Sequence, residues 1–388
     1  MKKLLVALLA TAGITSAFAQ SSVSVYGIID AGYLGTNYTG VGTSSTAKQT
    51  TSGFGQSAES ASRLGFKGTE DLGNGTSAFF LFETMLTPQN QNVSTWNNRQ
   101  SFVGLKKNGI GEAALGTQYT GIHMAVAKTD PGALNNLVGD VITATSPQVY
   151  GNTGSTPYAD STGAGTSAAY TTRTSNTLTA RSETFKGFSG NGFIALNNQN
   201  NTQTSSTTGG DNNHSGWGLG GDYTWNKLFV VAQYQALKSN QLGTLTTPQP
   251  ALWNPASGGT NTQDNQKYVA ATYDFGILKA YAQWVNRKAT STINTNYNTD
   301  RTAQQVGVRG NITSNIDAWA SVGNGRSSLF GASQPSANFV GYQLGSNYYL
   351  SKRTNLYAIY GQQHTSSVSA SAGALSASNY AVGVRHTF

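Results

Sequence analysis

Beyond Gln20, apolar and polar residues alternate along most of the chain. Leu278, Ala280, Ala282 and Trp284 interleave with Lys279, Tyr281, Gln283 and, further on, Arg287. Trp217, Leu219, Tyr223 and Trp225 interleave with Gly218, Gly220 and Asp222, and Leu356, Ala358 and Tyr360 with Asn355, Tyr357 and Gly361. Side chains of a strand point alternately to its two faces, so period two predicts strands with one apolar and one small or polar face. The segments run to about ten residues, carry aromatics near their ends and are separated by turn residues, which is the pattern of a membrane β-barrel. A soluble sandwich would bury both inner faces, yet Gln304/Arg309 and Lys279/Arg287 are too polar for such a core. A solenoid would repeat at a fixed period, and none is found.

The last twelve residues sharpen this. Tyr380, Val382, Val384, His386 and Phe388 share one parity, and Asn379, Ala381, Gly383, Arg385 and Thr387 the other. A strand ending on Phe388 needs a partner on both edges, and closure into a barrel supplies one. Short turn signals lie at 70–75, 107–109, 187–190, 224–227, 274–276, 311–315 and 350–355. Longer polar stretches lie at 37–57, 88–97, 122–171, 201–214, 240–264, 290–300, 328–337 and 365–376. Gly, Asn and Asp in the short set are hairpin chemistry. Seven turns and eight loops join sixteen antiparallel strands, expected near 22–36, 58–69, 75–87, 98–107, 110–121, 172–186, 191–200, 215–225, 227–239, 265–275, 277–289, 301–311, 315–327, 338–349, 353–364 and 377–388.

Composition narrows the class further. Lys2 and Lys3, the apolar stretch Leu4–Ile14 and Ala17-Phe18-Ala19 predict a cleaved signal peptide over residues 1–19, leaving 20–388 as the barrel. Its formal charge of +8 falls to +6 when the two lysines leave (8 − 2). With 10% charged residues and scattered Lys and Arg, nucleic acid is not an expected partner. The chain has no Cys, so stability must come from an extended hydrogen-bond network or a large core. No later stretch reaches 18 consecutive apolar residues, which argues against a membrane-spanning helix. His123, His214, His364 and His386 have no nucleophile motif near them, and neither G-x-S-x-G nor H-E-x-x-H occurs. No enzyme activity, catalytic residue, cofactor or metal is therefore expected.

Several segments together resemble one family. Ser62-Arg63-Leu64-Gly65-Phe66-Lys67-Gly68-Thr69-Glu70-Asp71-Leu72-Gly73 is similar to the second strand and first turn of the trimeric general porins of Gram-negative, β-proteobacterial-type outer membranes. Asn98–Leu105 resembles their fourth strand, Ala114–Tyr119 their fifth (with Thr117 where Arg is frequent), Val23–Asp30 their first and Val384–Phe388 their last. The resemblance implies an all-β, transmembrane, antiparallel 16-stranded β-barrel in the outer membrane, assembled as a homotrimer among lipid and lipopolysaccharide. It also implies a passive diffusion channel for ions and small hydrophilic solutes. A third external loop, here 122–171, would fold inward and narrow the lumen. A substrate-specific channel or a plugged adhesin-like barrel are the alternatives.

The same resemblance points to a lumen arginine cluster opposite that loop: Arg63, Arg99 and Arg173, with Glu83 as a partner. Parity agrees. Leu64 and Phe66 outward put Arg63 and Lys67 inward, Phe102 outward puts Arg99 inward, and Leu178 outward puts Arg173 and Arg181 inward. Arg385 also faces in. The loop brings Asp130, Asp140 and Asp160 against Lys128 and His123. An excess of base over acid predicts a mild preference for inorganic anions. Phe79 and Leu81 break the alternation and are expected inward, beneath the loop. Phe388 matches the C-terminal signal by which such barrels are recognised for assembly.

Overall fold

The computed structural model describes residues 22–40, 48–89, 98–143, 169–199, 212–241, 261–292, 295–296, 298–330, 336–366 and 375–388. The leader expected at 1–19, most of loop 88–97, and Asp160 lie outside them. One antiparallel sheet runs through β1 (Ser22–Thr39), β2 (Lys48–Gln56), β3 (Arg63–Gly73), β4 (Thr76–Met85), β5 (Asn98–Lys107) and β6 (Gly111–Tyr119). After helix α1 (Gly121–Thr129) it continues through β7 (Arg173–Ser182), β8 (Phe188–Gln199), β9 (Asn212–Trp225), β10 (Leu228–Gln241) and β11 (Thr262–Asp274). It is completed by β12 (Lys279–Ser291), β13 (Asn298–Asn311), β14 (Ile316–Phe330), β15 (Ala337–Tyr349), β16 (Thr354–Thr365) and β17 (Leu375–Thr387).

The sheet closes on itself. β17 pairs with β1 from Ile28↔Thr387 to Thr39↔Ser376. Gly27 and Phe388 then exchange N–H···O bonds of 3.1 Å in both directions, so the last residue is stitched into the seam. β2 and β3 both pair with β1, end to end, Ala31–Thr39 against β2 and Ser22–Ile28 against β3. They are two halves of one interrupted stave, and the seventeen segments make a closed barrel of sixteen. Closure joins the two end strands of the sheet to each other, which is what a sheet in hydrocarbon requires.

Parity sorts the faces as expected. Val103, Leu105, Leu115, Trp217, Leu219, Val306 and Val382 are exposed on the outer face. Gln235, Gln266, Gln305 and Gln343 are buried on the inner one. One reading needs correcting: Gln304 shares the outer face with Val306 and donates to Asn324 Oδ1 (2.8 Å), and it is Gln305 that faces in beside Arg309.

The second stave departs most from the sequence reading. Residues 48–56, expected within a loop, are strand, and the stave is broken at 57–62. Ser57 takes a positive φ of 61°, and the excursion is held by one buried carboxylate. Asp30 Oδ2 accepts from the backbone N–H of Glu59 (2.9 Å) and Ser60 (2.6 Å), and Tyr357 Oη donates to Oδ1 (2.7 Å). Seen from the sequence, Gly53, Gly55 and the Ser/Thr neighbours look like loop; the pairing with β1 overrides that local preference.

Candidate functional site

Two assemblies occupy the inner face. The first is cationic. Arg99 Nε donates to Glu83 Oε1 at 2.6 Å and Arg99 Nη2 to Tyr119 Oη at 2.8 Å. Arg63 Nη1 lies 3.8 Å from the same Glu83 oxygen, while Tyr26 Oη donates to Oε2 (3.1 Å) and Arg63 Nη2 to Ser60 Oγ (3.1 Å). The Arg173 guanidinium sits 5.8 Å from the Tyr119 ring centroid. The His123 ring stacks on Tyr119 at 4.3 Å. Burial first, and then Arg173, Arg99 and Arg63, push His123 down to about 3. His123 is therefore neutral at any working pH and adds nothing to the cations. Arg63 and Arg99 thus share the single carboxylate of Glu83, with Arg173 beside them on Tyr119.

Arg99 reaches the inner face, but not for the reason that parity offered. Phe102 pairs with Leu81 and Gly116, and its ring meets Phe79 edge-on at 6.2 Å on the inner side. A register shift between Glu83↔Gln100 and Thr84↔Asn98 swings Arg99 inward instead. A bulge does this by placing two residues opposite one. A second shift, between Gly116↔Thr177 and Gln118↔Thr174, with Asn176 at φ 51°, means that counting back from Leu178 fails before Arg173. Phe79 does face in, and its ring packs edge-on against Phe102.

The second assembly is the segment 120–143, with 169–172 where the chain returns. Thr120 caps α1, accepting from His123 N, and its hydroxyl donates to the Thr171 carbonyl at 2.6 Å, tying the two ends together. Ile122, Ala125 and Val126 pack with Val231, Tyr268, Ala270 and Val285, so the apolar inner residues of β10 to β12 lie where the helix covers them. Thr129 and Tyr268 hydroxyls are 2.6 Å apart.

Beyond α1, the chain runs over the inner wall of β13 to β16, and its backbone is satisfied by side chains from the wall. Gln305 Oε1 accepts from Val141 N (3.1 Å), and Arg301 Nη2 donates to Val141 O (2.6 Å). Gln343 Nε2 donates to the carbonyls of Leu137 (2.7 Å) and Val138 (2.8 Å). At the far side, Asn136 donates to Ala58 O (2.9 Å) and Ser57 O (2.7 Å), on the break in the second stave. The close approach depends on missing side chains. A Cβ on Gly341 would lie 2.5 Å from Gly139 O, and one on Gly361 would overlap the Val138 carbonyl. Pro131 likewise lies over Gly307 and Val141 over Gly323.

The acids of this segment do not face the arginines across open space. Asp130 and Asp140 are buried together: Asp130 Oδ2 accepts from Leu134 N (2.7 Å), and Asp140 Oδ1 from Ile142 N (2.7 Å) and Thr143 N (3.1 Å). Burial raises both carboxyl pKa values, and the Asp140 charge adds to the rise at Asp130. The other expected charges are dispersed. Lys67 lies over the Tyr26 ring (5.4 Å), Arg181 is 3.8 Å from Glu112, and Arg385 is 3.7 Å from Glu59. Lys128 bonds Asp222 (2.8 Å). Sequence reasoning missed the pairs Arg287–Asp264 (2.5 Å) and Arg309–Asp317 (2.6 Å). An Arg and an Asp of inner parity on neighbouring strands was the available signal.

Comparison with known proteins fits this architecture. The family model for Gram-negative porins matches residues 5–367. Outer membrane porin protein 32 of Delftia acidovorans is 42% identical over 117 residues, which is 30% of this chain and 31% of that one. The alignment thus spans about a third of that relative's length. An anion-selective porin from Comamonas acidovorans shares the fold with a TM-score of 0.67 and 21% identity, over 95% of this chain and 100% of that one. The trimer form of OmpT of Vibrio cholerae shares it with a TM-score of 0.59 and 15% identity, over 95% and 99%. A closed sixteen-stave barrel with an apolar outer face, matched by this family over most of its length, is an outer-membrane β-barrel, and the chain belongs to the Gram-negative porin family.

Proposed function

We propose that the protein is a passive diffusion channel for ions and small hydrophilic solutes, working as a homotrimer and mildly favouring anions. On this reading, segment 120–143 is the start of a third external loop that folds inward and narrows the bore. No bond is made or broken; function rests on a radius and a field. The carrying observation is on the inner face: Arg63 and Arg99 share the one carboxylate of Glu83, while Asp130 and Asp140 are buried. Guanidinium stays charged at every working pH, so the excess of Arg63 and Arg99 over Glu83 persists. The likeness to an anion-selective porin is one of fold, so the preference rests on this chain's own charges.

Reversal potentials in a KCl gradient test the proposal. The unmodified channel should favour chloride. Arg63→Ala and Arg173→Ala should each lower that preference, and Arg99→Ala should lower it most, because it removes a cation and leaves Glu83 without its 2.6 Å partner. Glu83→Gln should raise it. The effects should shrink as salt rises, the screening length being about 10 Å at 0.1 M. Cation-selective reversal in the unmodified protein would reject the assignment.

Conductance should also depend on pH through the buried acids. A carboxyl whose pKa is raised by burial holds its proton best when the segment is docked. Docking is then at full strength below the ordinary carboxylate value of about 4 and weakens as pH rises towards the raised values. Single-channel conductance should therefore increase, or fluctuate more, as pH climbs through that window. Asp130→Asn should flatten the dependence; an equal slope in the variant would remove these acids as its source.

A further inference from the structure

One buried residue of β1 reaches both assemblies of the inner face. The break in the second stave, 57–62, wraps around Asp30. The main chain of Asp30 grips the two ends of the bend: Ser57 N–H donates to Asp30 O (3.0 Å), and Asp30 N–H donates to Ser62 Oγ (3.0 Å). Its side chain grips the middle, where Oδ2 accepts from Glu59 N–H (2.9 Å) and Ser60 N–H (2.6 Å). Hydrogen bonds to a carboxylate are about twice as strong as neutral ones. Tyr357 on β16 fixes the other oxygen, donating to Oδ1 at 2.7 Å. To do so it reaches across β17 along the row Tyr357↔Gly383 and Gly383↔Gly32. A Cβ on Gly383 would overlap the tyrosine hydroxyl, so this bare position leaves room for the reach.

The bend held in this way carries two contacts of different kinds. On one side of Glu59, the carbonyls of Ser57 and Ala58 accept from Asn136, where the crossing segment lands on this wall. On the other side, Ser60 Oγ accepts from Arg63 Nη2 (3.1 Å). Among the described residues this is the one hydrogen bond that the Arg63 guanidinium makes, since Glu83 stands farther off at 3.8 Å. The ladder with β1 stops at Gln56 and resumes at Arg63, so no strand pairing shapes the stretch between them. Its shape comes from Asp30.

We propose that Asp30 is a positioning residue that couples ion preference to bore width: one buried carboxylate both aims Arg63 and fixes where the crossing segment lands. The inference rests on the channel reading above and adds that its two properties are not independent. Alanine at position 30 removes all three side-chain bonds and leaves the Glu59 and Ser60 N–H groups unsatisfied. The bend then relaxes. Ser60 Oγ leaves Arg63, which closes on Glu83, and the carbonyls of Ser57 and Ala58 move away from Asn136. Asparagine can keep the geometry. Its carbonyl accepts from both N–H groups while its amide donates to the Tyr357 hydroxyl, which is also an acceptor. The two substitutions separate aim from charge. Loss of a negative charge alone would raise the preference for chloride in both variants alike, whereas loss of aim lowers it in the alanine variant only.

The test reads reversal potential in a KCl gradient and single-channel conductance on the full-length protein, with heat resistance on a gel reporting that the barrel has folded. Ser60→Ala should lower the chloride preference without changing conductance. Asn136→Ala should raise conductance without changing the preference, its lost bond lowering the docked-to-undocked ratio about fivefold. Asp30→Ala should do both, and adding either of the other two substitutions to it should do no more, because residues in one network are not additive. Asp30→Asn should restore most of each property. Tyr357→Phe, which releases one side of the carboxylate, should shift both in the same directions by less. A folded Asp30→Ala that moves one property alone, or neither, overturns the proposal, as does full additivity with Ser60→Ala and Asn136→Ala. Should Asp30→Ala give no folded barrel, Tyr357→Phe decides by the same criterion. Arg63→Ala and Gly361→Val separate the coupling from the reading beneath it. If they leave both properties unmoved, the channel reading fails and the coupling with it; if each moves its own property while Asp30→Ala moves neither, the coupling alone fails.

Discussion

Replacing Gly341 or Gly361 with valine is expected to raise single-channel conductance while leaving the barrel as heat-stable as before. The inner wall carries these glycines where the backbone of residues 138–141 passes over it. A Cβ on Gly341 falls 2.5 Å from Gly139 O, and one on Gly361 overlaps the Val138 carbonyl. Backbone cannot swing aside as the tip of a long side chain can, so the segment itself must lift. Overpacking of this kind costs about 1–3 kcal/mol even where side chains can yield. A loss of that size lowers the docked-to-undocked ratio severalfold to about a hundredfold. The strand ladder is unaffected, because valine suits a strand better than glycine does. Gly53→Ala is the control, since no atom lies within 4 Å of a Cβ there. Unchanged conductance in Gly361→Val would mean that the segment does not narrow the bore.

Removing Phe388 should have the largest effect on yield of folded protein. Its backbone exchanges both hydrogen bonds with Gly27, and its ring covers Gly27 so closely that a Cβ there would overlap the ring. Deletion takes away two net hydrogen bonds of about 1 kcal/mol each and a part-buried aromatic side chain of about 1.5–3 kcal/mol when fully buried. These contacts lie on the seam, where β1 and β17 must meet last in sequence terms, so their loss hits closure directly. The expected outcome is a sharp fall in the fraction of heat-resistant barrel on gel electrophoresis, with normal conductance in the molecules that do fold. Gly27→Val should reproduce the defect with Phe388 in place. Normal yield after the deletion would mean that closure needs neither these two hydrogen bonds nor the terminal ring.

The fold was largely legible because period two is a property of each strand alone. The outer row Tyr380, Val382, Val384 and the inner row of glutamines can be read without knowing any neighbour. Strands extend past the sequence expectation on the loop side, for example Ile316–Phe330 against 315–327, because β-barrel strands outrun their apolar band and become polar on both faces. The site was less legible because it depends on offsets between strands. Arg99 was placed inward from Phe102, yet both face in, and only the bulge opposite Glu83 reconciles them. Position in a long loop makes Asp130 and Asp140 look pore-facing, whereas both are buried. Their burial under the segment depends on what Arg301, Gln305 and Tyr268 contribute from the wall. Gly341 and Gly361 carry meaning only once the backbone that crosses them is known.

The bond between Asn136 and the break at Ser57–Ala58 has a mechanical consequence. The crossing segment is fixed at its root, where Thr120 holds Thr171, and again at the opposite wall, where Asn136 holds the second stave. It is a beam resting on two supports, not a flap on one hinge. A beam responds to load by bowing between its seats, and because the glutamines of β13 and β15 also hold residues 137–141, that bowing is small. Thermal motion of the passage should therefore appear as small, graded changes in its width, and a complete swing aside would require both supports to fail together.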